Sequence, residues 1–171
     1  MSDLALSDIA SPDDLKVSIG NYCSGVVIVT ARDPDGGLHG MTCQSFHSLS
    51  LDPPLVAYFA GRGSRSYAAL RNLDRFAINV LAEDQEDLAM QFARSAGSDK
   101  WADVSWTADR FGQPHLADCI ANISCSTYAE YEGGDHLIHV GRVTAITHDP
   151  RRAPLLFFRS QFTRIEREAS G

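Results

Sequence analysis

Five consecutive residues, Val26-Val27-Ile28-Val29-Thr30, are all β-branched. Such side chains lose rotamer freedom in a helix but pack well on a pleated surface, so the run predicts a strand. It shows no polar alternation, so both faces of that strand are expected to be buried. The segment commits the chain to a fold built around a sheet.

Further strands follow, separated by turn chemistry. Asp33-Pro34-Asp35-Gly36-Gly37 reads as a turn, and Leu38 to Thr42 returns as the partner strand. The segment Ser45 to Asp52 is rich in serine and short apolar residues. Pro53-Pro54 then forces an extended backbone ahead of a strand from Leu55 to Ala60. Phe76 to Leu81, Cys119 to Tyr131 and Leu137 to Thr147 read as strands, the last two joined by the hairpin turn Gly133-Gly134-Asp135. Pro154 to Phe158 and Phe162 to Ile165 are late short strands.

Helices are few. Ser11 reads as an N-cap, Pro12 as the first helical residue and Asp14 as a first-turn acid, with Leu15, Ile19 and Tyr22 on one face of a helix ending near Gly25. A short helix, Tyr67 to Asn72, follows the loop Gly61 to Ser66. Asp84 reads as the cap of another helix, with Leu88 and Phe92 four apart. The stretch from Gly97 to Asp109 is irregular and contains Lys100-Trp101. Antiparallel hairpins with occasional helices predict an antiparallel barrel with helical decoration, not a doubly wound sheet. Residues 1–10 read as a flexible tail and 11–167 as one domain.

Composition narrows the function. The 171 residues carry 15 Lys+Arg against 22 Asp+Glu, a net charge of -7. An acidic domain lacks the electrostatic footprint of a nucleic-acid binder and is repelled by anionic membranes. No apolar run reaches the roughly 18 residues of a membrane span. Asp3 and Asp8, with no basic residue before Ala10, are the wrong start for a signal peptide, so a cytoplasmic location is expected. Cys23, Cys43, Cys119 and Cys125 form no CxxC and no zinc spacing, and are expected to be buried, reduced thiols.

GxSxG, HExxH, GxxxxGK[ST] and strand-linked GxGxxG are all missing, which removes support for serine hydrolase, zinc protease, P-loop and Rossmann readings. Three stretches stand out instead. His39-Gly40-Met41-Thr42-Cys43-Gln44-Ser45-Phe46 leaves a strand as a run of small polar residues, suited to close approach by a flat heterocycle or simply a polar loop. Gly61-Arg62-Gly63-Ser64-Arg65-Ser66 offers hydroxyls, guanidinium groups and backbone N–H groups to an anion, although either serine could equally be an N-cap. Gly133-Gly134-Asp135-His136 places a histidine directly after a tight turn, as a positioned group or a bystander. The other histidines have no informative spacing.

These stretches, in order, resemble the short flavin reductases, the reductase components of two-component flavin-dependent monooxygenases. The resemblance runs through His39-Gly40-Met41-Thr42, Ser45-Phe46, Ser48-Leu49-Ser50-Leu51-Asp52-Pro53-Pro54-Leu55-Val56, Phe76-Ala77-Ile78-Asn79-Val80-Leu81, Gln85 with Leu88 and Phe92-Ala93, Gly134-Asp135-His136, Gly141-Arg142-Val143 and Pro154-Leu155-Leu156-Phe157-Phe158. It implies an FMN-binding split β-barrel, antiparallel and Greek-key with peripheral helices, and a homodimer. It implies reduction of FMN or FAD by NADH or NADPH, and a separate monooxygenase that receives the reduced flavin. By that resemblance Thr42, Cys43, Gln44, Ser45 and Phe46, with Ser48, would hold the flavin ring and ribityl chain. Ser64, Arg65 and Ser66 would hold phosphate, Phe92, Ala93 and Arg94 would form a further flavin-side segment, and His136 would stand at the nicotinamide. The family commonly has Ala-Asn where Cys43-Gln44 stands, and a tyrosine where Phe162 stands. Cys43 reads as a space-filling residue. Hydride transfer between two cofactors requires no protein nucleophile, which agrees with the missing motifs. A flavin-binding electron carrier or sensor, or a purely interacting barrel, are the alternatives.

Overall fold

The computed structural model describes residues 11–94 and 98–165; the expected tail at 1–10 lies outside them. The elements run α1 (Pro12–Gly20), β1 (Ser24–Gly25), β2 (Val27–Arg32), β3 (Leu38–Cys43), β4 (Phe46–Leu51), β5 (Pro54–Gly61), α2 (Arg65–Leu70), β6 (Arg75–Val80) and α3 (Glu86–Ala93). A 3-10 turn (Ser98–Trp101) leads to β7 (Trp106–Ala108), β8 (Pro114–Leu116), β9 (Ala121–Gly133), β10 (His136–His148), β11 (Leu156–Phe158) and β12 (Gln161–Thr163). The fold is mainly β, with antiparallel sheets and few helices.

Seven strands form the main sheet in the order β3-β2-β6-β9-β10-β5-β4. Its two edges, β3 and β4, are consecutive in the chain and separated only by Gln44 and Ser45. A seven-stranded sheet whose first and last strands are joined so closely has to curl, which brings its two edges toward each other. The Ser45 hydroxyl fastens the link between them to β5, donating to Phe59 O at 2.9 Å and accepting from Phe59 N at 3.1 Å.

The β-branched run lies where its composition predicts. Val27, Val29 and Ala31 face one apolar cluster, while Val26 and Ile28 face a second. Thr30 is also buried, because Oγ1 donates to Pro114 O at 2.6 Å and accepts from Asn79 Nδ2 at 2.9 Å. Burying a hydroxyl without such partners costs about 1–3 kcal/mol.

Several sequence expectations shift. Ser11 and Asp14 do form a capping box, but α1 ends at Gly20 because Ser24 and Gly25 pair with Phe157 and Leu156. None of its residues is buried. Ser45 to Asp52 contains strand β4, whose alternation is weak because most of its residues face solvent. Helix α2 starts two residues before Tyr67, since Ser64 caps it by accepting from Tyr67 N at 3.2 Å. Asp84 is not the cap of α3: Gln85 takes that place, and its amide spans Ala82 N and Ala117 O instead. Cys23 is exposed, while Cys43, Cys119 and Cys125 are buried and free.

Candidate functional site

The end of β3, the β5–α2 loop, the end of α3 and the start of β10 converge on one cleft. It has two lobes that share Met41, Thr42 and Ala93. One, of about 300 Å³, is lined by Gly63 to Ser66, Phe92 and Lys100. The other, of about 420 Å³, is lined by Cys43, Gln44, Ser45, Phe59, Gly61 and His136.

The first lobe carries the polar groups. Ser66 Oγ accepts from Lys100 Nζ at 2.8 Å, which leaves the hydroxyl proton of Ser66 free to donate. Lys100 also donates to Phe92 O at 2.9 Å and Gly40 O at 3.3 Å, and its burial lowers its pKa. Arg65 lines the same lobe and is exposed. Phe92 forms the floor, 1% exposed and packed edge-on to Trp101 at 5.0 Å between centroids. The ring reaches this depth because position 40 is glycine: a Cβ there would lie 2.4 Å from Phe92 Cε1.

The second lobe is flatter and more apolar. The hydroxyl of Thr42 donates to Ala89 O at 2.6 Å, so it pins α3 to β3 and keeps only acceptor capacity for a ligand. Cys43 is buried beside Ser45, Sγ to Oγ 3.2 Å, and burial pushes its thiol above the ordinary range, as a space-filling side chain requires. Gln44 is exposed at the turn. His136 opens β10 opposite Gly61, and its Nδ1 lies 2.8 Å from Asp135 Oδ1. The imidazole lowers the Asp135 carboxyl. Among the described residues Nε2 has no partner, so it is available at the cleft.

The cleft thus gathers Thr42, Cys43, Gln44, Ser45, Ser64, Arg65, Ser66, Phe92, Ala93 and His136. Phe46, Ser48 and Arg94 lie outside its lining. Phe46 packs against the main apolar cluster, Ser48 is exposed on β4, and Arg94 is exposed at the end of α3.

The comparisons with known proteins decide the family. Residues 19–166 match the family described as flavin reductase like domain. The chain belongs to that family. It is 40% identical, over 94% of its own length and 81% of the relative's, to the reductase subunit HsaB of a flavin-dependent monooxygenase from Rhodococcus jostii. It is 35% identical to an NADH-dependent FAD reductase from Streptomyces globisporus, covering 95% of this chain and 92% of that one. Among solved structures, the NADH:FAD oxidoreductase of Streptomyces globisporus superposes with a TM-score of 0.87 at 34% identity, over 96% of this chain and all of that one. A nitrilotriacetate monooxygenase component B from Mycobacterium thermoresistibile gives 0.85 at 36% identity, over 90% of this chain and 86% of that one.

Sequence reasoning missed Lys100 in this flavin reductase like domain. The lysine comes from the irregular stretch before Trp101, and only the tertiary fold carries it to Ser66. It also missed the buried histidine His139, whose Nδ1 meets the Tyr67 hydroxyl at 3.0 Å while that hydroxyl donates to Glu130 at 2.5 Å. A third group has the residue types of a hydrolase triad but not its chemistry. Ser124 is 1% exposed and donates its proton to Asp109 at 2.6 Å, with His115 Nε2 at 2.9 Å, so the serine is no nucleophile.

Proposed function

We propose that this chain is an NAD(P)H-dependent flavin reductase that reduces FMN or FAD and supplies the reduced flavin to a separate flavin-dependent monooxygenase. One observation carries the reading: a single cleft joins a lobe with Lys100, Arg65 and Ser66 to a flatter lobe ending at His136. That pairing fits a ligand with an anionic tail and a flat ring. The relatives add the chemistry, since one is a monooxygenase reductase subunit and another an NADH-dependent FAD reductase.

When both cofactors are bound, the nicotinamide supplies a hydride and the flavin accepts it. The protein's share is placement. Arg65 and Ser66 hold the phosphate end, with Lys100 orienting the Ser66 hydroxyl and adding its positive charge. The backbone N–H groups of Thr42 to Phe46 are suited to an oxygen or nitrogen that gains negative charge. His136 offers Nε2 to the nicotinamide, with Asp135 fixing the imidazole. The buried Cys43 adds apolar surface at the ring end, and Phe92 floors the phosphate lobe. The residue roles inherited from the resemblance, including Phe46, Ser48 and Arg94, belong to this proposal, as do the single domain at 11–167, the cytoplasmic location and the split-barrel description of the curled sheet.

A homodimer belongs to it as well. Helix α1 exposes Leu15 (58%), Val17 (71%) and Ile19 (62%), and the edge strand β4 exposes Leu49 and, at 92%, Leu51. A helix with so many apolar residues and none buried gains stability once a second copy covers it. Light scattering should then give about twice 18.7 kDa.

Anaerobic mixing of the protein, excess FMN or FAD and NADH tests the function directly. Bleaching of the oxidised flavin's visible absorbance over many turnovers is expected. Flavin binding without NADH-driven bleaching would mark an electron carrier or sensor, and no binding of either flavin would defeat the reading.

A further inference from the structure

Gly61 to Ser66 contains two arginines, and they do different things. Arg65 lines the cleft. Arg62 turns away from it, toward the hairpin between β9 and β10. Its Nε donates to Gly134 O at 2.7 Å, its backbone N donates to Asp135 O at 3.0 Å, and its guanidinium pairs with Glu132. All three contacts land on the hairpin that delivers His136, two on its turn and one on the end of β9. Glu130, two residues before Glu132 and on the same side of β9, accepts from Tyr67 of α2 and from Arg71, the residue that ends it. Alternate carboxylates on β9 therefore fasten the phosphate-side helix and its lead-in loop to the end of this hairpin.

We infer that Arg62 is a positioning residue for NADH: it locks the His136 hairpin to the loop carrying Ser64 to Ser66. This rests on the reading of His136 as the nicotinamide-side group. The β5–β10 ladder starts at the rung Gly61–His136 and the β9–β10 ladder closes at Gly133–His136, so past these rungs no strand pair ties the turn to the β5–α2 loop. Strand ends without such support fray first. The backbone N–H of residue 62 bonds Asp135 O whatever the side chain, and the guanidinium adds the bond to Gly134 O. The ion pair alone is too exposed to hold the turn, at 46% and 71% side-chain exposure, because surface pairs contribute little. What Arg62 adds is geometric: a planar guanidinium can satisfy Gly134 O and Glu132 together, whereas a lysine offers one point of attachment.

The test compares Arg62→Ala, Arg62→Lys, Glu132→Gln and His136→Ala by NADH steady-state kinetics, FMN fluorescence quenching and thermal melting. Arg62→Ala should raise the KM for NADH about threefold to tenfold, with kcat and the FMN dissociation constant each within about twofold of the parent. Arg62→Lys and Glu132→Gln should fall between parent and Arg62→Ala, which keeps the test alive if Arg62→Ala folds poorly. In the His136→Ala background, Arg62→Ala should change the NADH KM no further, because coupled residues are not additive. If Arg62→Ala leaves the NADH KM unchanged while His136→Ala raises it, the positioning role is wrong and the reading of His136 survives. Additive effects also overturn the role. If His136→Ala itself leaves NADH kinetics unchanged, the reading of His136 fails and takes this inference with it.

Discussion

Lys100 Nζ donates to Ser66 Oγ at 2.8 Å while also holding Phe92 O and Gly40 O. One amine thereby ties the first turn of α2 to the middle of β3 and the end of α3. The bond also sets the hydroxyl's polarity. With its lone pair engaged by an ammonium group, Ser66 is left with a proton to give, which suits an anionic acceptor. Hydrogen bonds to charged groups contribute about 1.5–3 kcal/mol. Lys100→Met should therefore weaken FMN binding about tenfold to a hundredfold and riboflavin binding much less, since riboflavin has no phosphate. Arg65→Ala should show the same selectivity with a smaller loss, because Arg65 is exposed. Fluorescence titration with both flavins decides; equal losses for the two would mean that Lys100 only supports the fold.

The contact between His136 and Asp135 gives a second expectation. The carboxylate 2.8 Å from Nδ1 favours a proton on that nitrogen and leaves Nε2 as the group facing a ligand. The role proposed for it is orientation, because hydride transfer leaves no proton that the histidine must take. His136→Ala should lower kcat/KM for NADH about threefold to a hundredfold, with flavin affinity nearly unchanged. Asp135→Asn should give a smaller loss in the same direction. Complete inactivity of His136→Ala would point instead to obligatory proton transfer.

Two histidines predict how stability responds to acid. His139 is 1% exposed, and burial lowers its pKa although Glu130 opposes the shift. Burial likewise lowers His115, against the pull of Asp109. A depressed histidine means that the unfolded chain binds more protons near its ordinary value of about 6.5, so stability rises with pH there. The contribution is fully present above about pH 6.5 and is lost as pH falls toward the folded-state values. The lowered carboxyls Glu130 and Asp109 act at more acidic pH, so a mildly acidic window isolates the histidines. Urea midpoints should drop between about pH 8 and about pH 5.5, and His139→Asn should flatten part of that slope. Equal midpoints at both values would contradict the assignment.

The elements legible in the sequence share one property: their neighbours are local or their pattern is extreme. The run at Val26 to Thr30 announces burial on both faces because nothing polar interrupts it until Thr30, whose partners Pro114 and Asn79 are distant. Helix α1 shows the limit of periodicity. Leu15 and Ile19 are both apolar and four apart, yet none of the described residues buries them. Strand β4 was hidden because an exposed edge strand tolerates serine at most positions. The small-residue loop and the serine-arginine loop both proved to be walls of one cleft, whereas Lys100 and His139 carry no local signal. Their partners lie 34 and 72 residues away, and only the curl of the sheet brings them together.

Gly40 offers the sharpest test of how packing supports the site. Its backbone conformation does not require glycine; space does. A methyl group at this position would sit 2.4 Å from Phe92 Cε1 and 2.6 Å from Cδ1. Phe92 cannot yield cheaply, since it is 1% exposed and wedged against Trp101. Overpacking of this kind typically costs about 1–3 kcal/mol. The strain would fall on the contact between β3 and α3, which also places the Thr42 bond to Ala89 and the Lys100 bond to Gly40 O. Gly40→Ala should therefore lower the melting temperature by several degrees, roughly in line with that energy for a domain of this size, and weaken FMN binding at the same time. Adding Phe92→Leu, which frees room over position 40, should restore part of the stability lost to the methyl group. Non-additivity of the two substitutions is the deciding quantity. Simple addition of their separate costs would show that Gly40 and Phe92 are not in the close contact on which the floor of this cleft depends.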